Sequence, residues 1–131
     1  MYRILFFSAF FLFNTFVITS CKKVEGEGGS SSISGKITAN KKNSAGVTIA
    51  TFEATNHDVY IIYGAGAVHD DKTETSYDGT FTFRYLEKGD YTIYTYEDCN
   101  TCASGDNVKI IETSISKAKE EVNIGTIEVN D

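Results

Sequence analysis

The chain has 131 residues, with 12 basic and 18 acidic side chains and a net charge of −6. An acidic protein without a basic cluster is a poor partner for nucleic acid and gains nothing electrostatically from an anionic lipid surface. The length suits a single folded domain.

The first twenty residues have the layout of a secretory signal peptide, with a positive charge, an apolar stretch and a small-residue exit. Arg3 supplies the charge and residues 4–13 supply the apolar stretch. A transmembrane helix is the alternative, but such a helix needs roughly 20 apolar residues. Asn14 and Thr15 interrupt the stretch, so the signal peptide is the favoured interpretation.

Residues 18–21, Ile-Thr-Ser-Cys, resemble the lipobox of bacterial lipoproteins. The resemblance implies that residues 1–20 are removed and that Cys21 becomes the lipid-carrying N-terminus. Of the charged residues only Arg3 is then lost, which leaves eleven basic and eighteen acidic side chains and a net charge of −7. We expect a cell-envelope protein that contacts the membrane through its acyl chains. Lys22 stands where an aspartate would signal inner-membrane retention, so the outer membrane is expected, on its periplasmic or surface side.

The segment after the cysteine, residues 22–31, is rich in glycine and serine and shows no apolar periodicity. Such a composition predicts a flexible tether. The sequence is therefore divided into a signal peptide at 1–20, a lipidated cysteine with its tether at 21–31, and a folded domain at 32–131.

The domain has the alternation of short β-strands, with turn residues every 8–12 positions, that is typical of a sandwich or barrel. We predict an all-β fold, a single antiparallel β-sandwich of seven to eight strands. The Asp-Gly pair at 78–79 predicts a hairpin between its flanking strands. The predicted strands lie at 32–39, 47–51, 59–63, 73–77, 80–85, 91–96, 108–115 and 122–129.

Strand periodicity assigns the faces, since successive side chains point to opposite sides of a sheet. The side chains predicted to face the core are Val59, Ile61, Phe81, Phe83, Tyr85, Tyr91 and Ile93. In the last strand the apolar phase changes at Gly125, which predicts a β-bulge. The bulge would let Val122 and Ile124 face the same core as Ile127 and Val129.

The same periodicity places another set of apolar and aromatic side chains on the outer face of these strands: Tyr60, Ile62, Tyr94 and Tyr96. A cluster of exposed aromatic rings on a rigid sheet is a candidate partner-binding patch. Ordinary cross-strand pairing, or cover by residues 47–54, is the alternative.

Two cysteines remain once Cys21 is assigned to lipid, and an even pair in an exported chain predicts a disulfide between Cys99 and Cys102. Zinc binding and redox catalysis are alternatives, but zinc needs four ligands and a redox pair needs a following helix. No metal or cofactor is predicted. The acidic group Asp70, Asp71, Glu74 and Asp78 does not have EF-hand spacing, and calcium binding there stays open.

The stretch 75–83 with 86–93, Thr-Ser-Tyr-Asp-Gly-Thr-Phe-Thr-Phe and then Leu-Glu-Lys-Gly-Asp-Tyr-Thr-Ile, resembles a known pattern. It is similar to the core of carboxypeptidase regulatory-like and transthyretin-like β-sandwiches, although the usual proline before the second turn is absent. The resemblance covers roughly residues 32–130 and implies a non-catalytic binding or structural role. A separate alternative is the lysine–asparagine isopeptide bond of collagen-adhesin-like sandwiches, for which Lys36, Glu97 and Asn130 are candidates, although Thr95 stands at the position where such sandwiches have a glutamate.

We therefore expect a lipid-anchored, non-catalytic envelope module that binds a protein or a glycan. A purely structural accessory of an envelope complex is the first alternative, and a hydrolase of unknown type is a minor one. We do not expect an enzyme, because the chain lacks the histidine and arginine cluster of the hydrolases that resemble transthyretin.

Overall fold

The computed structural model describes residues 24–131, so the predicted signal peptide, Cys21 and the two lysines after it lie outside the described residues. The described part is all-β, as predicted. Its strands are β1 (Glu27–Lys42), β2 (Thr48–Glu53), β3 (Asp58–Tyr63), β4 (Asp71–Glu74), β5 (Thr80–Leu86), β6 (Gly89–Asp98), β7 (Asp106–Ile115) and β8 (Glu121–Asn130). Within residues 24–131 no helix is long and apolar enough to cross a bilayer.

The strands form two four-stranded sheets that pack face to face. In the first sheet the long strand β1 pairs along one edge with β5 and then β2, and along the other edge with β8. The second sheet has the order β4-β3-β6-β7. The pairing of β1 with β8 is parallel, which is the exception to the predicted antiparallel arrangement.

Apolar side chains from both sheets fill the space between them, and those predicted to point inward from β3 and β6 do so. Phe81 and Phe83 of β5 are also buried, with ring centroids 6.1 Å apart in an edge-to-face arrangement. The buried apolar residues are Ile33, Ile37, Ala39, Ala54, Val59, Ile61, Phe81, Phe83, Leu86, Tyr91, Ile93, Ile115, Ile127 and Val129.

Tyr85 was predicted to join this core, and that prediction is wrong. Its backbone is in the left-handed region, with φ of +59°, and its side chain is 71% exposed. Phe83 pairs with Ile33 and Leu86 with Ser31, so three residues of β5 span what two residues of β1 span. This bulge shifts the phase of β5 by one residue and sends Leu86 inward in place of Tyr85.

The bulge predicted in β8 is present at Gly125, whose φ is +80°. Asn123 pairs with Ser34 of β1, whereas Thr126 pairs with Lys36, so β8 carries one extra residue between them. Val122 and Ile124 on one side of the bulge pack against the core that buries Ile127 and Val129 on the other.

The Asp-Gly turn at 78–79 does not make the predicted hairpin. Strand β4 ends at Glu74, earlier than predicted, and pairs with β3, whereas β5 pairs with β1 in the other sheet. The turn itself forms, because the Asp78 carboxylate accepts hydrogen bonds from the Ser76 hydroxyl and from the Thr80 hydroxyl and amide. Turn chemistry thus fixed the chain reversal, while core packing decided which sheet each strand joined.

The predicted tether is shorter than the composition indicated, because β1 already begins at Glu27. The Gly26 amide donates to the Tyr91 hydroxyl at 3.1 Å, and the Glu87 amide donates to the Gly26 carbonyl at 2.8 Å. Ser31 is buried, and its hydroxyl donates to the Lys117 carbonyl and accepts from the Glu120 amide. Backbone pairing and these hydroxyl bonds order a segment that has no apolar periodicity.

The opposite orientations of Phe83 and Tyr85 in β5 give a prediction about stability. Phe83→Ala should lower the free energy of unfolding by about 3–5 kcal/mol, because it leaves a cavity between the sheets. Tyr85→Ala, in the same strand, should change it by less than about 0.5 kcal/mol, since that ring lies in solvent. Urea denaturation of both variants measures the difference, and comparable losses would contradict the assigned phase.

Candidate functional site

Three tyrosines lie together on the outer face of the second sheet, and we call Tyr60, Tyr94 and Tyr96 the tyrosine patch. Tyr60 of β3 is directly opposite Tyr94 of β6. Their rings stack with centroids 4.9 Å apart and planes 12° from parallel. The ring of Tyr96 is 5.8 Å from each of them and close to perpendicular to both. The outward residues predicted from strand phase are therefore brought into ring contact.

Ile62, the fourth residue predicted for the patch, shares this face but is half-buried. The loop after β3 passes over it, because a Cβ atom placed on Gly66 would lie 2.9 Å from the Ile62 Cγ2 atom. The same loop is held down by the Asp70 carboxylate, which accepts a hydrogen bond from the Tyr63 amide at 2.7 Å. Ile62 is thus covered by the chain itself and offers little surface to a partner.

Three further residues border the tyrosine patch and were not assigned to it from the sequence. The His69 ring lies 4.9 Å from that of Tyr60, and its Nδ1 is 3.2 Å from the Tyr94 hydroxyl. Ile110 and Val108 of β7 are opposite Tyr94 and Tyr96 and are 59% and 39% exposed. The alternation of β7 could have indicated the two apolar residues. Nothing in the sequence indicated His69, because a loop conformation places it.

An ion pair borders the patch on the side of β4. The Asp58 carboxylate accepts a hydrogen bond from the Tyr60 hydroxyl at 3.1 Å and pairs with the Lys72 ammonium at 3.1 Å. The hydrogen bond from Lys72 holds the pKa of Asp58 below its ordinary value, against a smaller opposing effect of burial. Burial raises the pKa of Tyr60 and of Tyr94, so both phenols keep their protons at neutral pH.

The charges on this outer face are mostly negative. Register places Glu74 beside Asp58, and Lys72 beside Tyr60, on the same face. Glu112 of β7 is opposite Thr92 of β6 and is exposed there. Three carboxylates against one ammonium group give the surroundings of the patch an acidic balance.

The acidic residues for which calcium binding was left open do not converge. Asp70 binds the Tyr63 amide, Asp78 caps its own turn, and Asp71 accepts from the amide of Lys72. The hydrogen bonds from Thr80 and Ser76 lower the pKa of Asp78 to about 2. Across residues 24–131 no three His, Cys, Asp or Glu side chains are grouped to hold a metal ion.

The predicted disulfide between Cys99 and Cys102 is present, with Cα atoms 5.3 Å apart. It lies in the loop between β6 and β7, where the Cys102 amide donates to the Cys99 carbonyl and the Cys99 amide donates to the Gly105 carbonyl. The bridge therefore closes a local turn.

A second polar cluster surrounds Glu97, a carboxylate that is 6% exposed. It accepts hydrogen bonds from the side chains of Asn107 and Asn130, each at 2.9 Å, and pairs with the Lys109 ammonium at 3.3 Å. Because Asn130 ends β8 and Glu97 lies on β6, the carboxylate joins the two sheets at one end of the sandwich.

The trio considered for an isopeptide bond is only partly assembled. Glu97 and Asn130 are in contact, as that hypothesis requires. The Lys36 ammonium instead pairs with the Glu53 carboxylate at 2.9 Å.

Glu97 should make the fold acid-sensitive. Burial alone would raise the pKa of this carboxyl, but the bonds from Asn107, Asn130 and Lys109 outweigh it and leave the pKa below the ordinary 4.5. A lowered pKa contributes stability that is present above that ordinary value and is lost as pH falls through the folded-state value.

We therefore expect Glu97→Gln to be less stable than the parent at neutral pH, and to lose less of its stability on acidification below pH 4.5. Glu53→Gln, which removes an exposed carboxylate, should keep the acid response of the parent. Urea denaturation across the pH range measures both. Parallel pH curves for the parent and Glu97→Gln would contradict the assigned role.

Comparison with known proteins yields a likeness of fold. The crystal structure of a "putative carbohydrate binding protein" from Pseudomonas aeruginosa aligns with a TM-score of 0.52 and 14% sequence identity. The alignment covers 81% of this chain and 91% of that one. No protein-family model matches the chain, and a search of curated proteins finds no match. At this identity the likeness establishes a shared all-β architecture.

Proposed function

We propose that the protein is a lipid-anchored, non-catalytic module of the cell envelope that binds a glycan through the tyrosine patch. The observation that carries the proposal is the packing of Tyr60, Tyr94 and Tyr96 on one open sheet face. The fold likeness to a "putative carbohydrate binding protein" supports it.

Ring orientation indicates how a sugar would be held. Tyr60 and Tyr94 turn their ring faces toward each other, whereas Tyr96 is perpendicular to both and is 48% exposed. An aromatic ring offers a large apolar surface to the C–H face of a pyranose, while its hydroxyl can form hydrogen bonds. Tyr96 is therefore the stacking residue in our proposal.

The neighbours of Tyr96 supply the rest of a binding surface. Val108 and Ile110 extend the apolar area toward β7. On the other side, Asp58 and Lys72 present an acceptor and a donor, which is the combination that a sugar hydroxyl pair requires. The rigid sheet holds these groups in place before binding, so little side-chain entropy is lost.

Charge decides the class of glycan. The outer face carries Asp58, Glu74 and Glu112 against Lys72. A polyanionic glycan would be repelled by this face, and the mature chain has a net charge of −7 by our division of the sequence. An uncharged glycan therefore fits best.

The cellular setting rests on the sequence. The lipobox resemblance at 18–21 supports lipid attachment at Cys21, and the residue after it supports the outer membrane. The strand pattern at 75–93 supports a carboxypeptidase regulatory-like relationship, in which non-catalytic binding or structural roles dominate. An envelope protein as the partner, or a structural role without a ligand, remains as an outcome of the tests below.

Removal of the stacking ring should weaken glycan binding without unfolding the domain. We expect Tyr96→Ser to weaken binding at least about tenfold, since a central aromatic contact contributes about 2 kcal/mol. Tyr96→Phe, which keeps the ring, should bind nearly as the parent does. Glycan-array screening of the parent against neutral and acidic polysaccharides, followed by calorimetry on the variants, measures this.

Tyr77→Ser is the matched control, because Tyr77 is 85% exposed and lies in the turn between β4 and β5, outside the two strands that carry the patch. It should bind as the parent does. Equal weakening in Tyr77→Ser and Tyr96→Ser would remove the patch from the proposal. Failure of the parent to bind any neutral glycan, together with crosslinking of the patch to one envelope protein, would favour the protein-binding alternative.

Lipid attachment is tested separately. Cys21→Ala should abolish incorporation of a palmitate analogue during growth, because the thiol that would carry the lipid is gone. Cys99→Ala with Cys102→Ala should leave the incorporation unchanged. Equal labelling of Cys21→Ala and the parent would refute the lipoprotein proposal.

A further inference from the structure

The chain is already fixed to the sandwich a few residues after the proposed lipidation site. The backbone of Gly26 is held from both sides, by the Tyr91 hydroxyl at its amide and by the Glu87 amide at its carbonyl. The Tyr91 hydroxyl in turn donates to the Glu87 carbonyl at 2.7 Å. These bonds attach Gly26 to the corner between β5 and β6.

The side chain of Glu25, the residue before Gly26, lies against two glycines of this corner. A Cβ atom on Gly64 would lie 3.4 Å from a carboxylate oxygen of Glu25, and a Cβ on Gly89 would overlap the Glu25 side chain. Gly89 has a φ of +150°, which L side chains rarely adopt. Glu25 therefore occupies a slot that the missing side chain of Gly89 leaves open, with Gly64 in ordinary contact beside it. The direction of the chain is set from Glu25 onward.

The reach from this slot to the lipid is short. Three residues lie between Cys21 and Glu25, and a fully extended chain covers at most about 14 Å over the four residue steps from one to the other. If Cys21 carries the lipid, as proposed above, the corner between β5 and β6 cannot move far from the bilayer surface.

An exposed aromatic residue lies at the same end. Tyr85 immediately precedes Leu86, which pairs with Glu27 and Ser31 at the start of β1. Its left-handed backbone turns the ring out of the core, where it is 71% exposed. A non-glycine residue in this conformation is uncommon, and such outliers concentrate at functional sites.

A tyrosine ring suits the boundary between lipid and water, because it combines an apolar body with a polar tip. Lys88 and Asp90 of the same corner have opposite charges and are both exposed. Arg84 and Glu27, which are also exposed near Tyr85, balance each other in the same way. With two exposed cations against two exposed anions, electrostatic attraction to anionic lipid is not the driving force in our proposal, and the contact would be that of the ring.

We propose that this end of the sandwich lies against the membrane and that Tyr85 contacts the lipid headgroup region. The inference rests on lipidation of Cys21. Tyr96 would then lie at a distance from the bilayer, since it is seven residues beyond Gly89, about 23 Å along β6 at the rise of a strand. That position leaves the patch accessible to a glycan.

The natural sequence contains no tryptophan, so one substitution creates a single fluorescent reporter. Full-length lipidated protein carrying Tyr85→Trp is compared with Tyr77→Trp, whose position is 85% exposed and precedes the opposite end of β5. Both are bound to vesicles of phosphatidylethanolamine and phosphatidylglycerol, with and without brominated acyl chains. Flotation confirms that each variant is attached.

We expect Tyr85→Trp to emit at shorter wavelength on vesicles and to lose intensity with brominated lipid, and Tyr77→Trp to show neither effect. Equal quenching of the two attached variants, or quenching of Tyr77→Trp alone, would overturn the proposed orientation. If the parent protein fails to float with vesicles, lipid anchoring itself is refuted, and the orientation with it. Glycan binding by the patch is independent of all these outcomes.

Discussion

The two sheets bury one continuous layer of apolar side chains between them, and every other feature of the molecule depends on that layer. Its deepest members come from β1, β3 and β6, where Ile33, Ile37, Val59, Ile61 and Ile93 are fully buried. Because successive side chains of a strand point to opposite faces, the burial of Ile61 and Ile93 places Tyr60 and Tyr94 on the outer face. The tyrosine patch is thus a geometric consequence of core formation, and the ring contacts within it stabilise the arrangement further.

Two bulges show how strongly the core controls the local backbone. Gly125 in β8 accommodates its bulge easily, because glycine tolerates positive φ. Tyr85 in β5 adopts a similar conformation without that freedom, and the gain is the burial of Leu86. The two cases differ in consequence, since the bulge in β5 leaves a large aromatic ring in solvent beside the N-terminal segment. This exposed ring is the one that we propose contacts the membrane.

Polar side chains close the two ends of the sandwich, and each of the buried ones has a hydrogen-bond partner. Within residues 24–131 no buried side-chain nitrogen or oxygen lacks a hydrogen-bond partner. Ser31 and Tyr91 bind backbone atoms near the N-terminal segment, while Glu97 joins β6 to β8 at the other end. Satisfied polar groups rigidify the ends of a small domain.

The sequence by itself determined the all-β class, most strand positions, the inward set around Phe81 and Phe83, the bulge at Gly125 and the pairing of Cys99 with Cys102. These features follow from local alternation, turn chemistry and cysteine count. Tertiary structure decided that the turn at 78–79 joins two sheets, that β1 begins at Glu27, that Tyr85 points outward and that His69 lies on Tyr60. Each of these depends on contacts between residues distant in the chain, and periodicity within one strand carries no information about such contacts.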